Sequence, residues 1–248
     1  MQGKKGEGMA AHLLVQEHGR AHYPAVASVE PALFSGLPPK VQQAVSAVKF
    51  TTTYPNGAVL FVEGQAPRGV FIVESGRVKL SVCARDGKTL ILRIAEAGEV
   101  VGLGSAVSDR ACETTAETQG PCELTFIRHN DLLRLMRLHN EFAILMAEHL
   151  SDEYASTCQE IRSLILSDSA TEKLARLLLG WLEKNGDVRQ PGRMKLAMTH
   201  EEIAQMIGTS RETVTRLLAS FKRKQFIQQN GATLLVRNRP ALEALISA

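Results

Sequence analysis

Cysteine is scarce: Cys83, Cys112, Cys122 and Cys158 are the 4 in 248 residues, and no two form a CxxC pair. That scatter argues against a disulfide framework, a zinc site and a compact iron–sulfur site. It leaves buried or reduced thiols, with a redox-sensing cysteine as the sharper alternative. No apolar run approaches the roughly eighteen residues that a membrane-spanning helix needs, and Met1 to Gly8 is a Gly/Lys tail without the apolar stretch of a signal peptide. A cytosolic protein with no membrane partner is therefore expected. No histidine lies between His22 and His129, which removes the metal ligands that a cupin-type catalytic barrel requires in that stretch. His200-Glu201 begins an HExxH pattern, but the second histidine position is Ala204. Gly102-Leu-Gly104 begins a dinucleotide pattern that fails at Val107. Metal, cofactor and catalytic residues are all unassigned, so an enzyme is not expected.

What remains is an ordinary globular composition, 44% hydrophobic and 22% charged, in a chain long enough for two cores. The net charge of +3 is unevenly spread. From Asp168 onward there are 13 Lys/Arg against 8 Asp/Glu, and before it 16 against 18. A basic C-terminal part behind a mildly acidic N-terminal one points to nucleic acid as partner of the former only.

Between Tyr54 and Ile127 short apolar runs alternate with glycines, as in all-β folds. Val70 to Val73, Val78 to Val82, Leu90 to Ile94 and Glu123 to Ile127 have strand character, and Arg85-Asp-Gly-Lys88 is a hairpin turn. Strands spaced this way close into a barrel or roll. From Cys122 to Leu179 there is no glycine or proline, so helix follows the last strand, with Asn130 and Asn140 as N-cap candidates. The longer helix, about Glu141 to Leu166, is ~40 Å long. Leu138, Phe142, Met146, Leu150, Tyr154, Thr157, Ile161 and Ile165 form one stripe along it and its lead-in. Its length exceeds the needs of one domain, so part of it is expected to face a second copy. Ser167-Asp-Ser169 breaks the pattern as a hinge, and Ser169 with Glu172 reads as a capping box for the next helix.

The most informative stretch is His200 to Leu218. Thr199 with Glu202 and Thr209 with Glu212 read as two capping boxes, with Gly208 between them. Ile203, Ala204 and Ile207 can then pack against Val214, Leu217 and Leu218, which turns Arg211, Glu212, Thr215 and Arg216 outward. A guanidinium matches the O6/N7 edge of guanine and a carboxylate accepts from the cytosine amino group, so this face suits a major groove. Lys222, Arg223 and Lys224 end the second helix, where cations suit the dipole and can meet phosphates. Phe226 to Gln229, Asn230-Gly231 and Ala232 to Val236 read as a hairpin wing. A small helical subdomain with a solvated charged face would account for the charges but not for their arrangement.

A glycine-punctuated roll, a long helix and a winged helix-turn-helix, in that order, resemble the Crp/Fnr family of bacterial transcription regulators over about Leu33 to Val236. Gly208-Thr-Ser-Arg-Glu-Thr-Val-Thr-Arg216 is similar to the family's recognition helix nearly position for position. The resemblance implies that Arg211, Glu212 and Arg216 contact bases of a TGTGA-like half-site, that Ser210 and Thr213 contact phosphate or flanking bases, and that RNA polymerase is a partner. Gly98-Glu-Val-Val-Gly102-Leu103 resembles the start of the family's phosphate-binding cassette, which implies that Glu99 holds a ribose hydroxyl. Where members that bind cyclic AMP carry Arg-Ser, this chain has Cys112-Glu113. A carboxylate beside a cyclic phosphate is repulsive, which counts against the usual nucleotide mode unless Arg110 substitutes. The oxygen-sensing mode needs an N-terminal cysteine cluster, and no cysteine precedes Cys83. Haem would call on Cys83, His129 or His149.

The expected class is α+β: a jelly-roll-like N-terminal β-roll, a long central dimerisation helix and a C-terminal winged helix-turn-helix. The expected divisions are a lead-in over 1–30, a sensor roll over 31–137, the dimer helix and hinge over 138–168, and the DNA-binding domain over 169–248. The expected function is a homodimeric regulator of double-stranded DNA. Its DNA-binding residues are Ser210, Arg211, Glu212, Thr213, Thr215, Arg216 and Lys222. A small-molecule effector would lie near Gly98, Glu99, Gly102, Leu103, Cys112 and Glu113. The alternative is a ligand-binding regulatory module that responds to a cyclic nucleotide without a direct DNA role.

Overall fold

The computed structural model describes residues 32–165, 169–185, 192–196 and 198–246. The lead-in 1–30 and the Ser167-Asp168 part of the hinge lie outside the described residues. A short helix α1 (Pro39–Ser46) precedes eight strands: β1 (Lys49–Tyr54), β2 (Val59–Phe61), β3 (Gly69–Ser75), β4 (Val78–Cys83), β5 (Thr89–Ala95), β6 (Val100–Val101), β7 (Thr115–Thr118) and β8 (Cys122–Arg128). Helix α2 (Leu103–Ser108) sits between β6 and β7. The strands form two antiparallel four-stranded sheets, ordered β1-β8-β3-β6 and β2-β7-β4-β5.

Strand β3 shows why the roll needs helices. Its residues alternate between faces, as any strand's do. Phe71 and Val73 go to the core between the sheets, with Val78, Leu80, Ala116 and Leu124. Val70 and Ile72 go to a second core on the outer face, with Phe34, Val41, Leu132, Phe142 and Met146. A strand buried on both sides loses the polar alternation of a surface strand, which is why Gly69 to Val73 reads as an apolar run. The outer core is closed by α1, α3 (His129–Leu138) and the first turns of α4 (Asn140–Ile165).

Helix α4 matches the expected long helix. The capping assignments before it differ: α3 begins at His129 with no side-chain cap, and Asn140 lies inside the first turn of α4, where Ala143 N–H bonds to His139 O at 3.1 Å. The stripe along α4 is also two faces rather than one. Phe142 and Met146 are fully buried in the chain's own outer core, whereas Tyr154 (72% exposed) and Ile161 (49%) face away from it, as do Ile144 (59%), which is not part of the stripe, and Leu138 (69%), the last residue of α3. A three- to four-residue step cannot separate neighbouring faces of a 3.6-residue helix over this length, so both fell on one line.

The C-terminal unit comprises α5 (Ala170–Asn185), β9 (Arg193–Lys195), α6 (His200–Ile207), α7 (Arg211–Arg223), β10 (Ile227–Asn230), β11 (Thr233–Val236) and α8 (Arg239–Ala244) around Leu174, Leu178, Ile203, Val214, Leu218 and Leu234. Ser169 accepts from Glu172 N–H at 3.2 Å, the side-chain cap that the expected box calls for. The wing is present, with a third strand: β9 pairs with β11. Asn230 pairs with Thr233, so the two-residue turn is Gly231-Ala232 and not Asn230-Gly231. Gly231 takes φ +57° at the first central position, the position that a type II′ turn reserves for glycine.

Candidate nucleic-acid interface and sensor cavity

Helix α6 starts in a complete capping box. Glu202 N–H donates to Thr199 Oγ1 at 3.1 Å, and Thr199 N–H donates to Glu202 Oε2 at 2.8 Å. It ends at Gly208, whose φ of +64° is the left-handed conformation that glycine adopts without a Cβ clash. The second box is different from that expected: Ser210, not Thr209, caps α7, accepting from Thr213 N–H at 3.2 Å. Thr209 N–H instead bonds to Ala204 O at 3.0 Å, closing the end of α6. Ile203, Ala204 and Ile207 pack against Val214, Leu218 and Phe221, fixing the angle between the helices.

That packing leaves Arg211, Glu212, Thr215, Arg216 and Lys222 exposed along one side of α7, with Thr213 half-buried. The ion pairs of this unit are Arg176–Glu172, Arg239–Glu183 and Arg239–Glu243; among the described residues none engages Arg211, Arg216 or Lys222. Their charge is left for solvent or a ligand. Thr215 is less free than its neighbours: its hydroxyl donates to Arg211 O at 2.9 Å and lies 2.8 Å from His200 Nδ1. One hydroxyl proton serves the carbonyl, so the ring nitrogen is the donor to Thr215 Oγ1. His200 as a brace for α7 was not anticipated, because the partners stand on different helices.

The expected effector residues do not converge. Glu99 accepts from Arg93 Nη1 at 3.0 Å through one oxygen and from Glu96 N–H at 2.6 Å through the other. Its carboxylate is occupied by its own chain. Gly98 closes the turn before β6, its N–H bonded to Val73 O at 2.8 Å. Leu103 is buried and turned into the outer core, away from any ligand. Cys112 is buried, with its N–H bonded to Gln65 O at 2.8 Å, and burial pushes its thiol pKa up. Arg110 is exposed. Gly102 and Glu113 do line a cavity of about 320 Å³ between the roll and α4, together with Phe61, Arg93, Glu153 and Tyr154.

Arg93 is the basic residue of that lining, and it is 8% exposed. Its Nη2 donates to Glu153 on α4 at 3.0 Å while Nη1 holds Glu99. The clue in the sequence was phase: Ile91, Arg93 and Ala95 share the inward face of β5, and a charge there needs a buried partner. A second contact unites the two halves of the chain. Gln119, just after β7, donates from Nε2 to Glu202 Oε1 at 2.8 Å, so the capping box of α6 is gripped by the roll. Burial raises the Glu202 carboxyl pKa, but the Thr199 backbone N–H, Gln119, the Thr199 hydroxyl and the Lys79 charge outweigh it, and the net shift is downward.

The architecture can be set beside known proteins. Residues 172–245 match the Crp-like helix-turn-helix domain, and residues 51–139 match the cyclic nucleotide-binding domain. The chain is 25% identical over 184 residues, 74% of its length and 88% of the relative's, to the cAMP-activated global transcriptional regulator CRP of Pasteurella multocida. It is 26% identical over 212 residues, 85% of its length and 94% of the relative's, to the CRP-like cAMP-activated global transcriptional regulator of Mycobacterium tuberculosis. The structure of FixK2 from Bradyrhizobium japonicum has a similar fold, with TM-score 0.71 and 22% identity, covering 81% of this chain and 98% of that one. The two domains, in this order and on this fold, place the chain in the Crp/Fnr family of DNA-binding transcription regulators.

Proposed function

We propose that the chain binds a palindromic, TGTGA-like operator as a homodimer, through Arg211, Glu212 and Arg216 in the major groove. Ser210, Thr213 and Lys222 meet phosphates, and Thr215 sets the edge of the reading face. The observation that carries this reading is the outward side of α7, where exposed guanidinium and carboxylate groups stand without ion pairs among the described residues, on a helix fixed by α6. What supports the dimer is the apolar face of α4 that the chain's own core leaves exposed, Ile144, Tyr154 and Ile161. A symmetric pair of α4 helices brings two α7 helices to successive major grooves, about 34 Å apart. RNA polymerase is the protein on which such a regulator acts.

The relatives named above are cAMP-activated. Here the cavity between roll and α4 carries Glu113 and Glu153, and its arginine is already paired. A cyclic phosphate finds no unpaired cation among the described residues of that lining, so cyclic AMP is not the effector in this reading.

Fluorescence anisotropy of a palindromic TGTGA duplex and a scrambled control, at fixed salt, with and without cyclic AMP, tests both parts. Preference for the palindrome without nucleotide is expected. Preference only with cyclic AMP would overturn the effector reading, and equal binding of both duplexes would overturn the operator.

A further inference from the structure

The Arg93 guanidinium joins the end of β5 and the turn after it to a helix 60 residues further along the chain. It is anchored on β5, 8% exposed, and fixes Glu99 before β6 and Glu153 on α4, each at 3.0 Å. Glu99 is pinned from its other side by Glu96 N–H, so the turn is rigid where it meets the arginine. Taking an arginine out of water is costly, and only well-placed, hydrogen-bonded carboxylates offset it. A triad of this kind contributes less to total stability than to fixing which groups sit where. What it fixes here is the seat of α4 on the roll, at the wall of the cavity and on the same turn of helix as the exposed Tyr154.

Resting on the reading of that cavity as the sensor site, we propose that the Arg93–Glu99–Glu153 triad is a built-in strap that replaces a bound effector. The strap reaches from the roll to α4 through the place where a ligand would bridge them, and holds α4 in its DNA-binding register without one. It also sets the class of ligand that the cavity refuses. An anion would have to displace Glu153 from Arg93 and then lie beside Glu113, meeting two carboxylates with one guanidinium.

The test compares Glu153→Ala with Glu99→Gln in the full-length protein. Both take one carboxylate from Arg93 and leave it the other, but only the first removes the bond to α4 itself. Hydrogen exchange needs no DNA: Glu153→Ala is expected to raise exchange along Leu150–Cys158 by about tenfold, the worth of one charge-assisted hydrogen bond. Specific affinity for the palindromic duplex is expected to fall by a similar factor, with no rescue by cyclic AMP. Glu99→Gln is expected to raise exchange in the 96–99 turn and, because it loosens Arg93 without removing the bond to α4, to raise α4 exchange and lower DNA affinity by less than Glu153→Ala does. Glu153→Gln, which keeps a hydrogen-bond acceptor in place, should lie between wild type and Glu153→Ala on both readouts. Unchanged α4 exchange in Glu153→Ala overturns the strap, whatever the DNA result. Faster α4 exchange in a protein whose wild type ignores the palindrome supports the strap and refutes only the operator.

Discussion

Arg216 and Lys222 both present a charge on α7 that no ion pair among the described residues engages, yet they should behave differently when removed. Arg216 stands among Arg211, Glu212 and Thr215 on the reading face, whereas Lys222 lies in the last turn, toward the wing. A base contact discriminates by about 1 to 3 kcal/mol, so Arg216→Ala should lower affinity for the palindrome ten- to hundredfold and leave the scrambled duplex nearly untouched. Lys222→Ala should weaken both duplexes alike and reduce the slope of log K against log salt by about 1. Anisotropy titrations at several salt concentrations separate the two; identical profiles would remove Arg216 from the reading set. The cysteines offer a second test at this scale. Cys83 is exposed, while Cys112 and Cys122 are buried and the Cys112 thiol pKa is pushed up by burial. Thiolate is the reactive form, so iodoacetamide should label Cys83 in the native protein and reach Cys112 only after unfolding. Early labelling of Cys112, read by peptide mass spectrometry, would contradict the packing.

Among the elements, α4 is the one whose two faces have separate duties. Phe142 is fully buried against Phe34, with ring centroids 5.9 Å apart, and Ile161 is half exposed. Phe142→Ala empties part of the outer core and should cost about 3 to 5 kcal/mol of stability with no direct effect on association. Ile161→Asp gives up only the covered half of one side chain within the subunit, but puts a charge on the face that would meet a second copy. It should leave the unfolding midpoint of the subunit nearly unchanged while sedimentation velocity shows monomers in place of dimers. If Ile161→Asp stays dimeric, the copies meet elsewhere. Elements with a local signature were legible in the sequence: the Thr199–Glu202 box, the Arg85–Lys88 turn and the length of α4 all follow from neighbours in the chain. The errors share a physical origin. Thr209 and Ser210 are adjacent potential caps, and the choice between them is made by where α6 lets the chain leave Gly208. The split stripe of α4 depends on what the helix lies against, and Phe142 and Tyr154 are both good helix-face apolar residues until the roll takes one of them.

In the whole molecule, the contacts that unite the parts are those the sequence could not disclose, because they join residues with no common motif: Arg93 with Glu153, and Gln119 with Glu202. The second ties the DNA-binding unit to the roll through a group that also caps α6. Glu202 receives Thr199 N–H and Gln119 Nε2 on its two oxygens, and Lys79 adds an attractive charge. Its carboxyl pKa is therefore held below the usual carboxylate range, despite the opposing effect of burial. A depressed folded-state pKa contributes stability above the unfolded value, near 4.3 for glutamate, and loses it as pH falls through the folded value. Trp181, the one tryptophan, packs against the core of the winged unit and reports its unfolding without interference from the roll. Glu202→Gln should therefore lower the urea midpoint read by Trp181 fluorescence at pH 7, and the gap to wild type should narrow as pH falls from the unfolded glutamate value, about 4.3, through the lowered folded-state value, below which the wild-type carboxylate is itself protonated. Gln119→Ala leaves the cap intact and removes only the roll's share, so it should produce a smaller gap with the same pH dependence. A gap that is constant with pH would mean that Glu202 stabilises the winged unit through shape and packing, and that its charge does not hold the two halves together.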